Sequence, residues 1–132
     1  MVENPKGEIL LQKRSPEMIN YPNAWDNSAA GHVDAGEEYL TAAKRELMEE
    51  LGVEGIELKE VDTYYTDVKA GRATLKRFNR LYKAKIDFTP DKLQPEEVTE
   101  VKWITVDGAK ELVEKKPDLV TDGLVDVLKL YY

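Results

Sequence analysis

Residues 31–53 read GHVDAGEEYLTAAKRELMEELGV, and the reading of the remaining chain turns on them. Tyr39 to Leu51 holds no Pro or Gly, and Gly52 follows as a natural stop, so the stretch predicts a helix over 39–51. Leu40, Ala43, Leu47 and Leu51 recur at helical spacing and form one apolar stripe. At about 100° per residue, Glu46, Glu49 and Glu50 fall within an arc of roughly 100° beside that stripe. Three carboxylates on one helical face repel one another, and a bound divalent cation removes that cost. Carboxylate oxygens are hard ligands suited to Mg²⁺ or Mn²⁺, and Mg²⁺ commonly joins one or two carboxylates to substrate phosphates. Arg45 stands one turn before Glu49, where it can orient that carboxylate or reach back to Glu37. The bland alternative is a solvated acidic face. It leaves the Gly-bounded loop, Glu37 and Gly52 unexplained at their spacing.

Outward from this helix, the chain shows no repeat, low-complexity segment or separating linker, and 132 residues suit one domain spanning 1–132. Asn4 to Gly7 reads as a turn, followed by a strand over Glu8–Lys13. Ser15 to Asn23 is a loop carrying Pro16 and Pro22, and Trp25–Ala30 returns as a short strand. Beyond the helix, Ile56–Thr66 and Ala73–Ile86 read as two strands joined around Lys69-Ala70-Gly71. Phe78, Tyr82, Ala84 and Ile86 share one face of the second, whereas Tyr64 and Tyr65 point to opposite faces of the first. Asp87–Glu97 is an acidic loop and Val98–Val106 another strand. Asp107 is placed to cap a helix through Lys115, and Thr121 to cap a last one with a stripe of Leu124, Val127, Leu128 and Tyr131. Trp25 and Trp103 read as core aromatics. Strands on both sides of a helix, with helices at the end, predict an α/β fold with a mixed sheet packed between helices.

Composition narrows the function. Charged residues make up 34% and hydrophobic ones 42% of the chain, a normal globular balance. No apolar run approaches the ~20 residues of a bilayer span, and the N-terminal sequence lacks a signal-peptide pattern. With no cysteine there is no disulfide, thiolate metal site or cysteine nucleophile, and a cytoplasmic location is expected. The net charge of −7 argues against duplex nucleic-acid binding. An anionic substrate then needs a cation and local basic groups to reverse the field. The basic clusters are Lys13-Arg14 and Lys76-Arg77 with Arg80, and Arg14 and Arg77 are the candidate phosphate contacts.

The spacing itself carries a resemblance. Gly31, five residues, Glu37, seven residues, then Arg45-Glu46-Leu47-x-Glu49-Glu50-x-Gly52-Val53 resembles the signature of the Nudix hydrolase superfamily at every fixed position. The resemblance implies an α/β/α sandwich around a mixed sheet, and it is strongest from Glu8 to Val53. It also implies a full first strand ahead of the Asn4–Gly7 turn. Since the sequence starts at Met1, that strand is expected to be missing, replaced by another segment or cut short. Upstream, Leu10-Leu11-Gln12-x-Arg14-Ser15 and Pro22-x-x-Trp25-x-Asn27-Ser28-x-x-x-His32 are similar to the isopentenyl-diphosphate isomerase-like branch. Those isomerases need a cysteine where this chain has Ala30, so isomerisation is not expected. A lone His32 is more often structural than a metal ligand.

The implied activity is a Mg²⁺-dependent pyrophosphohydrolase, with Mn²⁺ as substitute, cleaving a small-molecule diphosphate linked to another moiety. A nucleoside diphosphate derivative is the expected class. Glu46, Glu49 and Glu50 are the implied metal ligands, completed by the carbonyl of Gly31 or Gly36. The expected catalytic set is Glu46, Glu49, Arg45 and Glu97, the last from a loop that also offers Glu96 and Glu100 as bases. Glu37, Arg45 and Gly52 stiffen the loop–helix–loop. Two other readings stand beside this one: a silent nucleotide-binding sensor domain, and isoprenoid-diphosphate handling without isomerisation. Many relatives pair as dimers, so a homodimer is a compatible state.

Overall fold

The computed structural model describes Met1–Tyr132 apart from His32, Val33 and Gly71, and leaves undescribed the side chains of Val68, Lys69, Ala70, Leu75 and Lys76. In chain order come β1 (Val2–Glu3), β2 (Ile9–Arg14), β3 (Trp25–Asp26), α1 (Tyr39–Leu51), β4 (Lys59–Ala70), β5 (Ala73–Lys85), β6 (Val98–Ile104), α2 (Val106–Lys115) and α3 (Asp122–Tyr131). Strand β2 pairs antiparallel with β6 along one edge and with β3 and β1 along the other. Strand β1 runs parallel to β5, with Val2 opposite Ala84, and β5 pairs antiparallel with β4. The sheet is therefore mixed, and a two-residue strand stands where the first strand was expected to be missing, replaced or shortened.

Both faces of the sheet are covered, which explains why β2 reads as an unbroken run, ILLQ, rather than alternating. Ile9, Leu11 and Leu81 pack with Ala109 of α2 and Leu124, Val127 and Leu128 of α3. Leu10, Ala84 and Ile86 pack on the opposite side against Leu47 and Leu51 of α1. By the same alternation Gln12 faces α1. That is the α/β/α sandwich, and it fixes α1 directly over β2.

Local differences from the sequence reading have local causes. Leu40 is exposed and Ala42 takes its place in the buried set of α1, because the core meets that helix mainly along its last turns. The strand expected over Trp25–Ala30 stops at Asp26, where the Asp26 carboxylate accepts the Asn27 amide and ends the ladder. Strand β4 starts at Lys59 rather than Ile56 and runs on to Ala70. Helix α2 is capped by Thr105, whose hydroxyl accepts the Gly108 amide 3.0 Å away, and Asp107 sits inside its first turn. Strand β6 accordingly ends at Ile104, before Val106. Thr121 caps α3 as expected, accepting from the Leu124 amide. Trp25 and Trp103 are half-buried against the two cores.

Gly52 ends α1 in the left-handed conformation, φ 66°, with its amide on the Met48 carbonyl. A Cβ there would lie 2.7 Å from the Lys92 Cβ and 2.8 Å from the Lys92 carbonyl oxygen. Both strain and close approach demand glycine. Gly52→Ala is expected to lower Tm by about 5 °C or more, and an unchanged melting curve would contradict this account of the helix end.

Candidate active site

Arg45 and Glu37 tie the loop before α1 to the helix. The Arg45 guanidinium donates to both Glu37 oxygens, Nε to Oε2 at 2.8 Å and Nη2 to Oε1 at 3.0 Å. Glu37 Oε1 also accepts the Asp34 amide at 3.0 Å. Hydrogen bonds from Arg45 and this amide hold the Glu37 carboxyl down at about 2. From its other side Arg45 Nη1 reaches Glu46 Oε1 at 2.9 Å and Glu49 Oε2 at 3.2 Å. One cation thus fixes the loop and two of the three helix carboxylates.

Glu50 lies in a different setting. It is only 6% exposed, although it belongs to the acidic face of α1. Gln12 Nε2 donates to its Oε1 at 2.8 Å, and the Ala30 amide donates to its Oε2 at 3.2 Å. Burial, a hydrogen bond with the Glu46 carboxyl and the nearby negative charges of Glu46 and Glu97 push the Glu50 carboxyl far above its ordinary value, against the opposing pull of Gln12. Ionising Glu50 is thereby disfavoured in the metal-free protein. Gly31 lies so close that a Cβ there would fall on the Glu46 carboxyl group, so the loop backbone packs directly on Glu46.

The geometry groups the sequence candidates unevenly. Glu46, Glu50 and Gly31 come together, with Glu97 in electrostatic reach of Glu50. Glu49 is 56% exposed and turned to Arg45. Among the described residues no three acidic or histidine side chains converge within ligating reach of a single ion. His32 lies outside the described residues. Arg14 is occupied by Asp26, at 3.5 Å, and by the Asn20 carbonyl, at 3.0 Å. Arg77 pairs across from Thr66, next to Tyr64 opposite Asn79, on the ribbon face that packs Tyr64 against Tyr131 of α3. It faces away from α1.

The loop before β6 is pinned by main-chain bonds. The Gln94 amide donates to the Glu50 carbonyl at 3.1 Å, and the Ser15 amide donates to the Glu97 carbonyl at 2.9 Å. These bonds set Glu97, rather than the exposed Glu96 or Glu100, beside the helix end. Sequence reasoning assigned no role to Gln12 or Ser28. The one signal was a lone amide following the three apolar residues Ile9, Leu10 and Leu11.

The sequence model of the NUDIX domain matches residues 1–122. An uncharacterized Nudix hydrolase of Pseudomonas aeruginosa, PA4841, is 35% identical over 97% of this chain and 72% of its own length. An isopentenyl-diphosphate Delta-isomerase of Rhodobacter capsulatus is 30% identical over 89% of this chain and 68% of its own. The chain spans 64% of a similar protein from Yersinia pestis. The crystal structure of DR0079 from Deinococcus radiodurans superposes with a TM-score of 0.81 and 26% identity, covering 99% of this chain and 78% of that one. Among the described residues no helix is long and apolar enough to cross a membrane. With the carboxylate helix, its arginine clamp and these relatives in agreement, the chain belongs to the Nudix family, hydrolases that act on diphosphate bonds.

Proposed function

We propose that the protein is a Mg²⁺-dependent pyrophosphohydrolase that cleaves a nucleoside diphosphate derivative in the cytoplasm, with residues 1–132 acting as one domain. The observation that carries this reading is the buried Glu50 carboxyl, held by Gln12 and the Ala30 amide on the same helical face as Glu46. A carboxylate kept in so unfavourable a place is suited to a ligand that repays its ionisation. The oxygen donors of Glu46, Glu50 and the Gly31 main chain fit a hard cation such as Mg²⁺ or Mn²⁺, and Glu49 joins them on leaving Arg45. Such an ion, when bound, supplies charge neutralisation on the diphosphate and a more acidic water. Glu97 takes the proton from the attacking water through its carboxylate. Arg45 and Glu37 hold the loop so that Gly31 stays against Glu46.

The nucleoside half of the proposal has its own support. Tyr65 and Phe78 pair edge to face with centroids 4.6 Å apart and are 62% and 57% exposed. They share a ribbon face with Arg80, whose guanidinium lies 4.3 Å from the Tyr39 ring centre of α1. An aromatic surface on the α1 side suits a flat base. The sensor alternative is weakened by the intact Glu46-x-x-Glu49-Glu50 set, which ligand binding alone does not require.

The test is hydrolysis of a panel of nucleoside diphosphate sugars, nucleoside triphosphates, dinucleotides and isoprenoid diphosphates with Mg²⁺ or Mn²⁺. Turnover is expected for a nucleoside diphosphate derivative, with product analysis showing which phosphorus is attacked. Tight binding without turnover across the panel would establish the sensor reading instead, and turnover confined to isoprenoid diphosphates would overturn the nucleoside assignment.

A further inference from the structure

Gln12 is 2% exposed in the middle of β2, on the face turned to α1. Its Nε2 donates to two acceptors, Glu50 Oε1 at 2.8 Å and the Ser28 carbonyl at 2.9 Å. A carboxamide nitrogen has two hydrogens, so both are used. Turning the amide over would set its oxygen against two other oxygens, which fixes the orientation by chemistry. The residue therefore joins three segments: β2, the stretch after β3, and the last turn of α1.

We infer that Gln12 is a positioning residue for the metal site: it holds Glu50 Oε1 so that the carboxylate offers its remaining lone pairs to a cation shared with Glu46. This rests on the reading of Glu50 as a ligand given above. The choice of an amide has a physical reason. A lysine or arginine here would also stabilise ionised Glu50, but its charge would repel the cation that Glu50 is to bind. A carboxylate would repel Glu50 itself. A hydrocarbon would leave Oε1 buried with no donor, at the full cost of desolvation. A neutral donor satisfies Glu50 in its ionised state without competing with a cation. The Ala30 amide, at 3.2 Å, holds the other oxygen more loosely, so Oε2 is the atom free to move toward an ion.

The test uses the substrate-free protein and Mn²⁺ alone, followed by titration calorimetry. Gln12→Met, which keeps length and volume but removes the donor, is expected to weaken Mn²⁺ binding by about 10- to 100-fold. At saturating Mn²⁺ turnover should recover while KM for substrate stays as in the wild type. A purely structural role would not be rescued by metal. In a Glu50→Gln background the same Gln12→Met change should cost no further affinity, because the two act as one unit. Additive losses would overturn the inference. If Glu50→Gln binds Mn²⁺ as the wild type does, the ligand reading itself is wrong. If Glu50→Gln loses binding and Gln12→Met keeps it, only the role of Gln12 is wrong. Should Gln12→Met fail to fold, the side-chain amide signal of wild-type Gln12 decides. It should shift on Mg²⁺ titration with the midpoint of binding, and an unmoved signal would reject the proposal.

Discussion

Glu50→Gln is expected to lower turnover by about a thousandfold or more and, at the same time, to raise the thermal stability of the metal-free protein at pH 8. The two effects have one origin. In the fold, Glu50 is buried beside Glu46 and Glu97, so its carboxyl titrates well above the ordinary 4.5. A carboxyl with a raised folded value binds more protons folded than unfolded once the pH passes about 4.5, so stability falls as pH rises from there. The slope is at most about 1.4 kcal/mol per pH unit for one group. Glutamine has no charge to lose and its oxygen still accepts the Gln12 bond, a gain that outweighs the loss of the longer bond from the Ala30 amide. In chelator, wild-type Tm should drop between pH 5 and pH 8 and the variant's should drop less. Added Mg²⁺ should restore the wild type at pH 8 and leave the variant unmoved. Equal pH slopes for the two proteins would show that Glu50 is not the group that holds the proton.

The second large effect is expected at Glu97. Glu97→Gln removes the proposed base and should reduce kcat by about 10²- to 10⁴-fold, while Mn²⁺ affinity remains close to that of the wild type. Residual activity should climb with pH as hydroxide takes the place of activated water. Glu96→Gln and Glu100→Gln, on exposed neighbours, should leave kcat within about twofold. Loss of activity in either neighbour with full activity in Glu97→Gln would transfer the role along the loop. A milder consequence also follows. Removing the Glu97 charge relieves part of the push on Glu50, so the metal-free variant should lose less stability toward high pH than the wild type.

The helix and its acidic face were legible because they rest on short-range rules: no breaker between Tyr39 and Leu51, glycine at 52, and a period that aligns Glu46 with Glu50. The Glu37–Arg45 clamp was legible for the same reason, since loop and helix are close in sequence. Burial of Glu50 was not legible. It depends on Gln12, 38 positions away, and on sheet pairing that turns this residue toward α1. The contacts of Arg14 were not legible either. As a basic strand residue it suggested phosphate, but Asp26 and Asn20 already occupy it. The cap of α2 was misplaced by two residues because Asp107 and Thr105 are both good cap formers. Only the observed φ and ψ of Thr105 separate them. The family spacing supplied the fold class, and the tertiary contacts supplied which carboxylates meet.

The main-chain bonds from Gln94 to Glu50 and from Ser15 to Glu97 have an evolutionary reading. They act on the segment's downstream end, while Ile86 anchors its upstream end in the core. Between these anchors Pro90 is buried and Thr89 accepts the Trp103 indole N–H at 3.0 Å, while Phe88 and Asp91 are exposed and can change without altering the separation of base and ligand. Selection can therefore remodel that surface for a new substrate while the cutting machinery keeps its dimensions, a division of labour under which one scaffold diversifies without relearning its chemistry.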